Sequence, residues 1–368
     1  MHVVSFVFVA AVSPRTTASV IDTHPRKAAT GTRSSQSVYR PIFALIPLTL
    51  RPPLLRSRRC LYAILASIVV VTVLAPQASA RPRGKLVPDR GVYLGAYAPG
   101  GRDAVRAFEG MIGRRLAIVS RYWGWQQEWP DDGERWAARN GRIPMVSWSY
   151  RDAGKLTAIT SGRWDRNIRR HARDVRRFRY RIFIRWAWEM NGDWMPWSGY
   201  QNGRDPEQYV RAWRRIVRIF RRAGARNAVF VWCPARKGHP TAPWNAVRHY
   251  YPGRRYVDWV CTAAYNWGET KDWSSWHDLE WLVGPNYRRF ADRKPMMVGE
   301  SGSAEQGGSK AAWILQTGRQ MRATFPHIAA WVWFNTKDQN VDWRVNSSQS
   351  SLDAYREVAH RAYFGARR

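Results

Sequence analysis

Lysine is scarce in this chain. Only eight of its 60 basic residues are Lys, and with 27 acidic residues the formal net charge is +33, carried mostly by Arg. The arginines run along the whole chain rather than gathering in one block, and no zinc-finger, RNA-recognition or homeodomain pattern is present. No specific nucleic acid is therefore expected as a partner; the charge predicts a loose attraction to an anionic cell wall. Cysteine is also sparse. Three residues are too few for a disulfide scaffold. Cys60 lies in a segment expected to be removed, while Cys233 and Cys261 fall on or near core strands, where buried thiols are the expected state. Export would permit a bridge between them. His171, His239, His249, His277, His327 and His360 form no cluster at ligand spacing, so no catalytic metal is expected.

Long apolar runs are missing too. The best, Leu61 to Ala75, is too short for a comfortable membrane span. It follows the basic Arg56-Ser57-Arg58-Arg59 and precedes the small residues Ala78-Ser79-Ala80, the make-up of a secretory signal peptide over residues 56–80. Residues 1–55 show no sustained period and are expected to be unstructured, or an extension ahead of the true start codon. The expected product is a secreted monomer with one catalytic domain over residues 81–368.

Within that domain apolar strand-like runs alternate with amphipathic segments. Strands are expected near Val92–Tyr97, Leu116–Tyr122, Ile143–Trp148, Ile182–Trp186, Ala228–Trp232, Val257–Ala263, Met296–Gly299 and Ile328–Phe334. After the fourth, Asp205 as N-cap, Pro206 at the first helical position and Gly224 past the end predict a helix. Helices are also expected over Lys310–Phe325 and Ser351–Phe364. Eight strands in such a length fit an α/β fold, a (β/α)8 TIM barrel, whose usual size is about 250 residues. A doubly wound sheet would want a phosphate loop after its first strand, and Ala98-Pro99-Gly100-Gly101 is a poor one.

Catalytic groups of such barrels sit at the C-terminal ends of the strands. Those ends carry Trp123, Trp148, then Glu189, Asn191 and Trp194, then Tyr265 and Trp267, then Glu300, and finally Trp333. Trp totals 22 residues, more than a core needs, and exposed indoles suit the apolar faces of pyranose rings. Two carboxylates on one aromatic rim are the usual means of cleaving a glycosidic bond: one protonates the leaving oxygen, the other attacks or activates water. That chemistry needs no cofactor.

The motifs Trp188-Glu189-Met190-Asn191-Gly192-Asp193-Trp194, Tyr250-Tyr251-Pro252-Gly253 with Val257-Asp258-Trp259, Lys294-Pro295 leading to Gly299-Glu300-Ser301-Gly302, and Asp342-Trp343-Arg344-Val345 come in the order found in glycoside hydrolase family 26, which the chain resembles from about Gly91 to Phe364. The resemblance implies a retaining endo-β-glycosidase acting on a β-linked polysaccharide. β-1,4-Mannan is the first candidate, with β-glucan and β-1,3-xylan as alternatives, and a non-catalytic polysaccharide-binding barrel as another. It implies Glu189 as acid/base and Glu300 as nucleophile. Arg185, Trp188, Asn191, Trp194, Tyr265, Trp267, Trp123, Trp148 and Trp333 are its expected substrate-binding shell, with Tyr265 the hydrogen-bond donor to Glu300. One position departs from the family: the residue before the acid is typically His and here is Trp188. An indole offers one N–H donor and no acceptor, so it cannot shuttle a proton.

Overall fold

The computed structural model describes residues 81–151 and 153–367. The extension and signal peptide expected over residues 1–80 lie outside the described residues. β1 (Tyr93–Tyr97), β2 (Ile118–Trp123), β3 (Ile143–Trp148), β4 (Ile182–Trp186), β5 (Ala228–Trp232), β6 (Trp259–Asn266), β7 (Met296–Ser303) and β8 (Ile328–Phe334) form a closed barrel in sequence order. Every neighbouring pair is parallel, and β1 closes on β8 through Tyr93↔Ala330 to Tyr97↔Phe334. Strands such as β3, β4, β7 and β8 are buried at every residue. That double-sided burial is why their sequences read as continuous apolar runs rather than alternating ones.

The helices are α1 (Gly101–Ile112), α2 (Asp132–Arg139), the short α3 (Thr157–Thr160), α4 (Asp165–Phe178), α5 (Pro206–Arg222), α6 (Leu279–Phe290), α7 (Lys310–Ala323) and α8 (Gln349–His360). α5 starts as its sequence requires: the Asp205 carboxylate accepts the Glu207 N–H at 2.9 Å and Pro206 opens the helix. Its buried face of Tyr209, Trp213, Ile216, Val217 and Phe220 packs on the sheet, with Tyr209 stacked on Trp186 at 5.4 Å. α2 begins with a reciprocal capping box between Asp131 and Glu134.

The strand–helix alternation breaks once. Between β5 and β6 the described residues hold only three 3₁₀ turns, Pro243–Asn245, Val247–Tyr250 and Arg254–Tyr256. Pro234, Pro240, Pro243 and Pro252 recur too often there for an α-helix to propagate.

β6 and β7 run past their expected ends. A register shift between Thr262 and Ala263 pairs Ala263 with Glu300 and carries the ladder on to Asn266↔Ser303. Glu300 therefore stands on a strand inside the barrel mouth, where an irregularity re-aims it, rather than in the loop beyond. Past β8 a small hairpin, β9 (Lys337–Asp338) with β10 (Val341–Asp342), follows. The buried Lys310 of α7 donates to the Asp342 and Arg344 carbonyls (3.0 and 2.7 Å) and to Ser347 Oγ (2.8 Å), which anchors that segment.

Candidate active site

Register decides which side chains reach the barrel axis. Ser147 pairs with Arg185 and Trp148 with Trp186, so two adjacent strands present Ser147 and Arg185 inward and two indoles outward. Arg185 is fully buried and donates through Nε and Nη2 to Ser147 Oγ at 3.1 and 2.8 Å. Its Nη2 also reaches Tyr122 Oη at 3.2 Å and Glu300 Oε1. The Tyr122 hydroxyl donates to the same Glu300 oxygen. Glu300 thus receives a guanidinium and a phenol on one oxygen.

Glu189 lies just past β4 in a sharply turned segment, with φ of +44° at Ala187 and +54° at Glu189. Its N–H donates to the Cys233 carbonyl at 2.7 Å and its Oε2 accepts from Trp194 Nε1 at 2.9 Å. Gly192 permits that contact: a Cβ there would lie 2.5 Å from the Trp194 ring. Cys233 and Cys261 are joined in a disulfide, in place of the buried thiols expected from the sequence. It ties the end of β5 to β6, and a Cβ on Gly299, next to Glu300, would meet Cys261 Sγ at 2.7 Å. The bridge therefore lies between the supports of the two carboxylates.

The two acids are tuned by burial and by neighbours. Desolvation pushes the Glu189 carboxyl up, against the Trp194 hydrogen bond and the Arg185 charge, which lower it. Burial also raises Glu300, and the Asp338 carboxylate of β9 adds to that. The guanidinium and phenol on its Oε1 pull the other way, because both stabilise the anion. Burial depresses Arg185 to about 10, so it stays cationic at neutral pH. Among the described residues no group of three or more His, Cys, Asp or Glu is disposed to hold a metal.

Several expected substrate contacts move. Trp148 and Trp333 are fully buried behind the sheet. Trp148 stacks on Trp125 at 4.3 Å and meets His171 of α4; Trp333 packs on Trp313 of α7 and Tyr355 of α8. Strand alternation points both at helices, so neither can touch a sugar. Asn191 is fully buried and exchanges both amide hydrogen bonds with Ala235, clamping the loop after β5. Trp123 turns toward α2, donating to Glu134 Oε1 at 3.0 Å under the Arg121 guanidinium. Tyr265 stands at the mouth, but the described hydrogen bonds to Glu300 come from Tyr122 and Arg185. Arg185, Trp188, Trp194 and Tyr265 remain beside the carboxylates or their partners, and Trp267 packs behind Tyr265. Trp188 lies over Arg185 and edge-on to Tyr122 at 5.6 Å, with its buried N–H unpartnered among the described residues.

The sequence reading missed Tyr97, Tyr122, Phe334 and Asp338. Tyr97 and Phe334 share a register position and stack at 5.2 Å, and Tyr122 and Tyr265 pack edge-on to Phe334. Further out Trp267 contacts Trp343 and the 66% exposed Trp273, extending an aromatic wall away from the acids. The alternation that turns Trp333 to the helices turns Phe334 to the cleft, and that parity is the signal that could have found it.

Known proteins place this site in context. The sequence profile described as glycosyl hydrolase family 26 matches residues 159–287, a span that includes Glu189 and Tyr265 and ends before Glu300. Endoglucanase H of Acetivibrio thermocellus is 33% identical over 306 residues, covering 80% of this chain and 33% of its own length. A β-1,3-xylanase of a Vibrio species is 27% identical over 209 residues, covering 52% of this chain and 43% of its own. The chain thus spans between a third and under half of these curated relatives. Among solved structures, a Cellulomonas fimi endo-β-1,4-mannanase double mutant superimposes with a TM-score of 0.57 at 17% identity, covering 74% of this chain and 71% of that one. At that identity the likeness shows the barrel fold. The ordered motifs, the matched profile and the shared barrel lead to one assignment: this chain belongs to glycoside hydrolase family 26.

Proposed function

We propose that the protein is an exported, retaining endo-β-glycosidase that cleaves a neutral β-linked polysaccharide by double displacement. The observation that carries this reading is the asymmetry of the two carboxyls. Burial raises both, so the donors make the difference: Glu189 holds a single neutral indole donor, which suits a group that must arrive protonated. Glu300 is gripped by Arg185 and Tyr122, which suits a group that must be ionised to attack. Glu189 gives its proton to the leaving oxygen as Glu300 bonds to the anomeric carbon. It then takes a proton from the water that releases the sugar. Trp194 and the Tyr265–Trp267–Trp273 wall offer ring faces to sugars on either side.

β-Glucan is the substrate that the similarity to an endoglucanase supports, ahead of the β-mannan that the family resemblance alone suggests. Trp188 agrees with a shift in substrate, because its buried indole packs on Arg185 and Tyr122 and supplies no acceptor for a sugar hydroxyl. The test is a product profile on lichenan, glucomannan, mannan and β-1,3-xylan, with the first-formed anomer followed by NMR. Glu189→Ala and Glu300→Ala should each lower turnover by about 10²–10⁴-fold. Wild-type turnover in either variant overturns the assignment. Tight binding without release of reducing ends would favour the second reading, a non-catalytic polysaccharide-binding barrel, for which Trp188 is the motivating feature.

A further inference from the structure

On the flank of the barrel, away from the cleft, α4 and α5 enclose a groove of about 500 Å³. Arg169, Arg173 and Arg176 enter it from α4, and Arg215, Arg218 and Arg222 from α5. Their spacings of four and three residues, then three and four, place each trio on one helical face. Two rows of guanidinium groups therefore run side by side along about 10 Å of helix. One carboxylate answers them: Asp165 accepts from Arg215 at 2.7 and 3.0 Å and from Arg169 at 2.8 Å. Arg173, Arg176, Arg218 and Arg222 have no acidic partner among the described residues, and all four are exposed. Arg176 leans across to the Ala223 carbonyl of the other row at 3.5 Å.

Four uncompensated cations in one groove repel each other, and an anionic chain laid between the rows would relieve that repulsion. Guanidinium groups suit phosphate best, because their paired N–H donors match two phosphate oxygens. Apart from Asp165, the rest of the lining is aliphatic, Ile219 and Ala223. With no aromatic ring in the groove, nothing is available for nucleobases to stack on, which a single-stranded nucleic-acid site would use.

We propose that the α4–α5 groove binds a base-free phosphodiester polymer, a polyol-phosphate chain, and tethers the barrel by its flank while the cleft stays free for neutral glycan. The test uses the whole chain and synthetic poly(glycerol phosphate), with oligo-dT and polygalacturonate as competing polyanions. Because the net charge of +33 attracts any polyanion, two variants of equal charge change are compared. One carries R173Q, R176Q, R218Q and R222Q; the other carries R139Q, R289Q, R319Q and R322Q, exposed arginines on other helices. The groove variant should lose at least tenfold in affinity for poly(glycerol phosphate). Its log-affinity against log-salt slope should become shallower by about 3, at about 0.7 per lost contact to a single-stranded polyanion. The other variant should lose far less. The polymer should also raise the melting temperature of the unmodified chain but not of the groove variant, whose turnover on glycan should be unchanged. Equal weakening in both variants would assign the binding to diffuse charge and overturn the proposal. So would tighter groove-dependent binding of oligo-dT or polygalacturonate.

Discussion

Removing the Cys233–Cys261 bridge should weaken both the fold and the site. The bridge spans 28 residues. Closing a loop of that length removes about 12 cal/mol/K of entropy from the unfolded chain, equivalent to about 3.6 kcal/mol at 25 °C. For about 290 folded residues the entropy of unfolding is about 0.6 kcal/mol/K, so the loss corresponds to about 6 °C in melting temperature. The measurement is scanning calorimetry of C233A/C261A and of the reduced wild type, which separates the lost cross-link from the lost sulfur volume. Activity should respond as well. The Cys233 carbonyl holds the Glu189 N–H, and Cys261 Sγ fills the space that Gly299 leaves beside Glu300. Loosening both supports should lower kcat more than it raises KM, since the acids lose alignment rather than the sugar losing its wall. A melting shift under about 2 °C together with unchanged kcat would refute this reasoning.

Tyr122→Phe removes a donor that stabilises ionised Glu300, so the Glu300 pKa should rise further; the acid limb of the pH–rate profile should move to higher pH and kcat should fall about tenfold. Trp194→Phe removes the hydrogen bond that lowers Glu189. Glu189 would then stay protonated to higher pH, and the alkaline limb should shift upward, as read from kcat/KM against pH. Asp131→Ala deletes the α2 cap and a carboxylate that, against burial, the Glu134 side-chain hydrogen bond and the Arg121 guanidinium hold down at about 2. It should cost about 1 kcal/mol for the cap alone at pH 7. A depressed carboxyl stabilises the fold above its unfolded pKa and loses that effect as pH falls through its folded value. The difference from wild type in denaturant midpoint should accordingly shrink toward pH 2. Trp148→Ala should destabilise by about 3–5 kcal/mol while leaving KM nearly unchanged, because that indole packs against helices.

The strands were legible because burial on both faces leaves little room for anything but apolar residues: all eight starts came through within two residues, and so did every end but those of β6 and β7. Glu189 and Glu300 were legible as polar residues closing such runs. What stayed hidden was direction. Trp148, Trp333 and Phe334 all read as aromatic residues at strand ends, and only the register against Arg185 and Tyr97 separates those facing helices from those facing the cleft. Asn191 followed the same motif as the acid, yet its work is to hold the loop at Ala235, a contact 44 residues away in sequence. The missing helix between β5 and β6 was visible in principle as a run of prolines. The disulfide was not, since composition allows two cysteines to be near or far.

The backbone at Glu189 has a consequence for how the site persists. Ala187 and Glu189 both sit in the left-handed region, where a side chain is strained and glycine is not. A Glu189→Gly chain would shed that strain, and with it a carboxyl that burial already disfavours as an anion. Selection for folding alone would therefore push this position toward a firmer and inert barrel. Under the proposed chemistry only selection for turnover would keep the acid there, so the place where the chain is least at ease is where loss of that selection would show first.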